Sequence, residues 1–485
     1  MYLLSLTNLD YALITIFLGI NFIIAYLFRR KNQSSEAFLF APTKVDRISS
    51  FIGNFGLVEI VLAGIGGAYF GFNTIYYIIL AIVLQLLGQK LLTRRYRLSN
   101  VVGLNDYLAV KFNRYFAIIV ASLNVVLLIL CLSLAVAVAF KSLQAVMGWG
   151  FINNIMGLLG LTIILILIGG RAAILYNGML AALFILAVFV ISIVVAVWHL
   201  GGVDAVIYNL NNLALAKNLP AKYYILPTIP TIDKQMLLII GAIMVGVAGI
   251  NWLNFNLLSN SVPNCAPRQN QLSTGFAKLL SIIGVIIILV LPGIIAIATP
   301  HTGSTIAGKE IVTIMAQLPD GQTGYVVKAV DSNGKGGGIH KYGSSSPGIV
   351  PPLLNPKTGM LEANKYNYAI ASMVMVRHYL SDMGSFWVIL LIVAGFMLNI
   401  GRYMLQLGQI TVNNVLLPLN LITKYGKIGE LWSLQVSIVA YTGVILVLAY
   451  FMFLHYDLIL FVKLFAAVMV VPLLFMLGIM CYEKK

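Results

Sequence analysis

The sequence predicts an all-α polytopic membrane protein of about 11 transmembrane helices, one extra N-terminal helix followed by two inverted five-helix repeats. Three observations lead there. Of the 485 residues, 60% are hydrophobic and 9% charged, with a mean hydropathy of +0.96, whereas soluble domains carry about 25% charged residues. The apolar residues gather in runs of roughly 20, the length of helix that crosses a bilayer. After the first run, the rest divide into two blocks of five, and an odd number per block inverts the second block.

The first span is expected from Asp10 to Phe28, stopped by Arg29, Arg30 and Lys31. With no basic leader segment and no small-residue cleavage site ahead of it, this run is expected to stay in the protein. It forms, with its loop, a unit over residues 1–47. The first repeat covers 48–199: Ile48 to Phe70, a span from Thr74 closed by Lys90, Arg94, Arg95 and Arg97, then one ending near Ala139. Ile152 to Ile168 and Ala173 to Val197 complete it. A polar loop, 200–235, leads to the second repeat, 236–482. Its spans are Met236 to Leu258, Gly275 to Ala298, Ser385 to Val412, Leu431 to Phe453 and Leu458 to Met480, before a short tail, 483–485.

The formal net charge of +16 does not point to nucleic acid, because the basic residues flank the spans. Arg29–Lys31, Lys44, Arg47, Arg94–Arg97, Lys111, Arg114, Arg171, Arg268, Lys424, Lys427, Lys484 and Lys485 all fall on one side. By the positive-inside rule that side is cytoplasmic, so the N-terminus is outside and the C-terminus inside. A bacterial inner membrane is the expected location. Cys131, Cys265 and Cys481 are expected to be free thiols, since three cysteines make no disulfide framework.

Residues 299–367 form an extracytoplasmic insert rich in Gly, Ser, Pro and Lys, read as a flexible solvated loop with one β-like run, Gly324–Val330, that could form a hairpin; a lid is the competing reading. No metal-ligand spacing, nucleotide-binding loop or nucleophile elbow stands anywhere in the chain, so neither an ATP-driven pump nor an enzyme is predicted, and no cofactor. No pore-loop filter is visible either.

The stretch Gly53–Gly71 holds six glycines and Glu59 inside a hydrophobic run. A carboxylate at bilayer depth costs about 2.5–3.5 kcal/mol on insertion scales unless it is paired, hydrated or protonated. The opening span of the second repeat, Gly241–Asn260, is interrupted in a corresponding way and carries Asn251, Asn254 and Asn256. Paired interruptions of this kind mark the solute site of a transporter. The expected solute-binding residues are therefore Asn54, Glu59, Asn251, Asn254, Asn256 and Arg402, with Tyr69 as a gate. A glycine-lined contact between helices is the competing reading of Gly53–Gly71.

These segments, with EAFLFAP (Glu36–Pro42), RLSNVVGLNDYLAVKFNR (Arg97–Arg114), IGGRAAILYNGML (Ile168–Leu180), GGVDAV (Gly201–Val206), Asn251-Trp252 and LPG (Leu291–Gly293), resemble the sodium:solute symporter family. The resemblance implies the LeuT-type five-plus-five inverted-repeat fold and a sodium site completed by backbone carbonyls near Gly53 and Gly56. It also implies ion-site positions at Gly395, Leu398 and Asn399, where the family has a Ser-Ser pair, and at Asn177, where the family usually has an acid. Leucine offers sodium no side-chain oxygen, and Arg402 adds a fixed positive charge one helical turn on.

The expected function is secondary active transport of a small polar organic solute by alternating access, with a degraded sodium site. The coupling ion is then sodium or a proton, or the transport is uncoupled. The alternative is a solute sensor or scaffold that transports nothing. That reading needs a partner protein, since no signalling domain follows Lys485. The other expected partners are the solute and the lipid bilayer.

Overall fold

The computed structural model describes residues 7–29, 38, 55–80, 109–110, 112–147, 151–216, 223–225, 284, 287–299, 348–350, 367–380, 386–421 and 426–454, together with six strands between 304 and 366. Gly53, Asn54, Asn251, Asn254, Asn256, Cys265, Cys481 and the seventh and eleventh spans lie outside the described residues, as does most of the third span. The described helices are α1 (Asn8–Arg29), α2 (Leu57–Phe70), α3 (Arg114–Met147), α4 (Phe151–Leu200), α5 (Val203–Ala216), α6 (Ile287–Ala298), α7 (Ala371–Leu380), α8 (Phe386–Gln409) and α9 (Gly426–Leu454). Among the described residues five helical segments are long and apolar enough to cross a membrane: Asn8–Arg29, Arg114–Leu143, Gly157–Leu200, Phe386–Leu416 and Gly429–Met452.

The 50 residues of α4 would run about 75 Å as a straight helix, more than twice a bilayer's apolar core. They are divided at Gly170, whose φ of 56° and ψ of −160° are accessible only to glycine. The predicted fifth and sixth spans are thus the two limbs of α4, joined by a single-residue break.

Helix α8 is the core of the molecule. Of its residues, only Trp387 and Arg402 are not fully buried. It packs on α4, α3, α2 and α9, while α9 covers α3 and leaves Trp432, Val436, Val439, Val447 and Phe451 facing outward. That apolar outer face suits lipid contact. At its far end α8 runs into a π-helical turn, Ile410–Leu416, where the Thr411 hydroxyl donates to Leu407 O at 2.8 Å and to Tyr441 Oη at 3.2 Å.

The extra helix α1 is fastened to this core at both ends. Thr7 and Asp10 form a capping box, with Thr7 N donating to Asp10 Oδ2 at 2.8 Å and Asp10 N to Thr7 Oγ1 at 3.3 Å. The same carboxylate caps α8, accepting from Phe386 N at 3.1 Å through Oδ1. Further along, Asn177 Nδ2 donates to Asn21 O at 3.2 Å, and the rings of Phe28 and Tyr176 stack at 5.0 Å. These contacts put the start of α1 beside the start of α8.

Glycines let α2 and α6 approach closely. A methyl group on Gly67 would strike Val290 O and lie 3.2 Å from Ile294 N, and one on Gly293 would lie 3.0 Å from Gly64 Cα. Gly64 and Gly67 therefore serve helix packing, the competing reading of the glycine-rich run, and both sit in regular helix. Gly56, by contrast, is extended (φ −66°, ψ 158°) and caps the N-terminus of α2.

The insert is more ordered in plan than a solvated loop. Strands β1 (Ser304–Ile306), β2 (Lys309–Gln317), β3 (Thr323–Asp331) and β4 (Gly336–His340) form an antiparallel meander, and β5 (Pro352–Leu354) pairs with β6 (Leu361–Tyr366). The predicted β-like run is most of β3. Its partner β2 is in register from Lys309↔Asp331 to Gln317↔Thr323.

Candidate functional site

The start of α2 and the middle of α8 meet where backbone replaces side chain. Gly395 has no room for a Cβ, which would lie 3.0 Å from Leu57 N and 3.1 Å from Leu57 Cα. One turn along α8, the amide oxygen of Asn399 occupies the space where a side chain on Gly56 would stand, next to Glu59 Oε2. A single extended glycine thus opens α2 and admits a polar side chain from α8.

Glu59 is in the first turn of α2, where the helix dipole favours a negative charge. It faces Asn399, Arg402 and Tyr403 of α8. Asn399 and Tyr403 turn toward the carboxylate without closing a hydrogen bond of ordinary geometry, because both of its oxygens are buried with no partner among the described residues. Asn399 Nδ2 and Arg402 Nη1 are likewise buried and unpartnered. Arg402 also lies within electrostatic reach of Arg171, the residue after the break in α4, which is 8% exposed.

The structure therefore brings together Gly56, Glu59, Gly395, Asn399 and Arg402 from the sequence-predicted set. Leu398 and Asn177 stand nearby in a different place. They line a cavity between α4 and α8 with Thr162, Ile174, Met397 and Gly401. Asn177 spends its amide nitrogen on α1 and leaves Oδ1 buried without a partner among the described residues. Tyr69 belongs to the other end of α2, where its ring packs on Tyr368 at 4.3 Å.

Sequence reasoning passed over two neighbours of the site. Tyr403 adjoins Arg402 in the chain and was readable only as an apolar-face residue, and Arg171 reads as a cytoplasmic loop charge. The Gly169-Gly170 pair before Arg171 is the signal that turns it inward: Gly169 packs against Ala25 of α1, and Gly170 takes the positive φ.

Of the side chains at the ion-site-like positions on α8, only Asn399 carries an oxygen. Among the described residues no group of three or more His, Cys, Asp or Glu side chains is placed to hold a metal ion. The set at the α2–α8 contact is instead one carboxylate, an amide and a guanidinium.

Comparison with known proteins agrees with this architecture. A family model described as "Sodium:solute symporter family" matches residues 49–321. A solved structure titled "Substrate-bound outward-open state of a Na+-coupled sialic acid symporter reveals a novel Na+-site" is similar at a TM-score of 0.61 and 11% identity, over 96% of this chain and 86% of that one. At that identity the likeness speaks for the fold. No curated protein matches the sequence. With its multi-pass helical body and a family match over more than half of its length, the chain belongs to the sodium:solute symporter family and is a membrane solute transporter by descent.

Proposed function

We propose that the protein is a secondary active transporter of a small polar organic solute whose cycle does not depend on sodium. The observation that carries this reading is the chemistry at the α2–α8 contact. Sodium needs a cage of hard oxygen ligands. Here Leu398 contributes no side-chain oxygen, and Arg402 sets a fixed positive charge within electrostatic reach of Glu59. A guanidinium in that position supplies permanently the charge that a bound cation would supply for part of a cycle.

Alternating access would then be a movement of α2 and its neighbours against the body made by α3, α4, α8 and α9. The contact that breaks and re-forms would be the one between Gly56–Glu59 and Gly395–Arg402. Glu59 is the group in this contact able to exchange a proton. Proton coupling is therefore the coupling mode the site supports best, with exchange or facilitated passage as the remaining modes. Orientation follows the basic residues, with the N-terminus outside, and the host membrane is a bacterial inner membrane. The buried charges at the start of α2 support the transport reading over a non-transporting sensor, because transporters hold their solutes at such helix ends.

The test is uptake of labelled solutes into proteoliposomes, with and without an inward proton gradient, for the wild type and Glu59→Gln. The expected result is uptake driven by the proton gradient in the wild type and roughly tenfold less gradient response in the variant. Glu59→Gln with unchanged uptake and unchanged pH dependence sinks the proton assignment.

A further inference from the structure

Four polar atoms at the α2–α8 contact have no partner among the described residues, and they are of two opposite kinds. Glu59 Oε1 and Oε2 are acceptors; Asn399 Nδ2 and Arg402 Nη1 are donors. Buried polar groups in folded proteins are nearly always hydrogen-bonded, so a cluster of exceptions calls for a missing component. The two charged residues face each other, yet they leave these atoms unsatisfied rather than joined in one bidentate pair. Gly56, lacking a side chain, lets the Asn399 amide come up beside the Glu59 carboxylate.

The chemistry of the missing component follows from the two kinds of atom. A metal cation would satisfy the carboxylate but not Nδ2 or Nη1, and Arg402 with Arg171 behind it would repel it. An anion would satisfy the donors and leave Glu59 bare. A neutral polyol could form hydrogen bonds to both, but without the charge-assisted strength that a carboxylate and a guanidinium each gain from a partner of opposite charge. A molecule with a cationic N–H group at one end and a carboxylate at the other meets all four atoms at once.

We propose that the solute bound here is a small zwitterion, its ammonium held by Glu59 and its carboxylate by Arg402 and Asn399. This rests on the reading of the α2–α8 contact as the solute site. Carboxylate binding by arginine is the stronger half of the recognition, because the planar guanidinium matches carboxylate geometry. Tyr403, whose side chain also faces Glu59, bounds the ammonium end.

The test uses purified full-length protein and reads its thermal unfolding with alanine, proline or β-alanine as zwitterions, ethylammonium as cation, lactate as anion and glycerol as neutral polyol. At least one zwitterion is expected to raise the unfolding midpoint, and none of the three others at the same concentration. In Arg402→Gln the preference shifts toward ethylammonium, and in Glu59→Gln toward lactate, by roughly tenfold or more in apparent affinity. Stabilisation of the wild type by lactate, ethylammonium or glycerol with every zwitterion inert overturns the assignment, as does a panel with no effect at all. Binding of a zwitterion without any uptake into proteoliposomes would instead leave this inference standing and remove the transport mechanism proposed above.

Discussion

At the scale of single residues, the absence of a side chain at position 56 matters as much as the charges around it. Gly56→Ala places a methyl group on the Asn399 amide and the Glu59 carboxylate together, so both side chains must shift. Uptake should fall at least about tenfold, as expected when a rigid binding geometry is displaced by about 1 Å. Gly157→Ala, where a methyl group meets nothing within 4 Å, is the matched control and should leave uptake unchanged. Asp10 is the second residue with consequences out of proportion to its size. Asp10→Ala removes the capping box of α1, worth about 0.5–2 kcal/mol, and strips Phe386 N of its acceptor at the start of α8. A lowered unfolding midpoint with solute affinity retained is the expected outcome. A midpoint equal to the wild type would show that the link between α1 and α8 carries no stability. Glu59 and Arg402 were legible in the sequence because charges in apolar runs are conspicuous. Asp10, Asn21 and Tyr403 were not, since their roles depend on which helix lies opposite, and periodicity within one helix does not say.

At the scale of elements, glycines were easy to find and harder to assign. The glycine-rich run of α2 looked like a span interrupted along much of its length. The structure separates the roles: Gly64 and Gly67 admit α7 and α6, while Gly56 caps the helix and admits Asn399 at the site. Hydropathy cannot make that distinction, because a glycine in a helix contact and one at a break have the same composition. The break in α4 is a clearer case. Gly170→Ala should cost about 1–3 kcal/mol of stability, because its backbone lies where only glycine is comfortable. The insert was underread for the opposite reason. Its β3 run was legible by alternation, but its partner EIVTIMA in β2 was not, because it stands among Gly, Ser and Lys residues that read as loop.

The short helix α7 supplies a pH-dependent element outside the spans. Burial, and then the neighbouring His199, hold the His378 imidazole below the usual histidine range, while its ring meets Tyr379 at 4.9 Å. The folded protein then binds fewer protons at this site than the unfolded chain, whose histidine has the ordinary value of 6.5. Stability contributed here is present above that value and declines as pH drops through it. The unfolding midpoint should therefore decrease between about pH 7 and pH 5, and His378→Gln should flatten the decrease. A steeper fall in the variant would contradict the assignment.

For the whole molecule, the sequence was most informative about plan and least about sidedness of individual contacts. The length and composition of the apolar runs sufficed for a multi-pass helical membrane protein, and the scattered motifs, IGGRAAILYNGML and GGVDAV among them, for the family. Of the residues that come together, Glu59 and Arg402 stood out by local pattern, whereas Gly56, Gly395 and Asn399 were reached through the family resemblance. What lay beyond reach was the fastening of α1, through Asp10, Asn21 and Phe28, to α4 and α8. That strap makes α1 part of the body against which α2 would move, so its loosening should slow transport without changing which solute is bound.

The central claim is that a fixed charge in α8 has taken over the place of sodium. Its most direct test is uptake of a stabilising solute into proteoliposomes carrying either a sodium gradient or choline on both sides, at equal proton gradient. The account predicts equal initial rates in the two conditions. A rate that collapses in choline and rises with external sodium would mean that Asn399, Glu59 and backbone carbonyls rebuild an ion site despite Leu398 and Arg402, and the claim would be wrong.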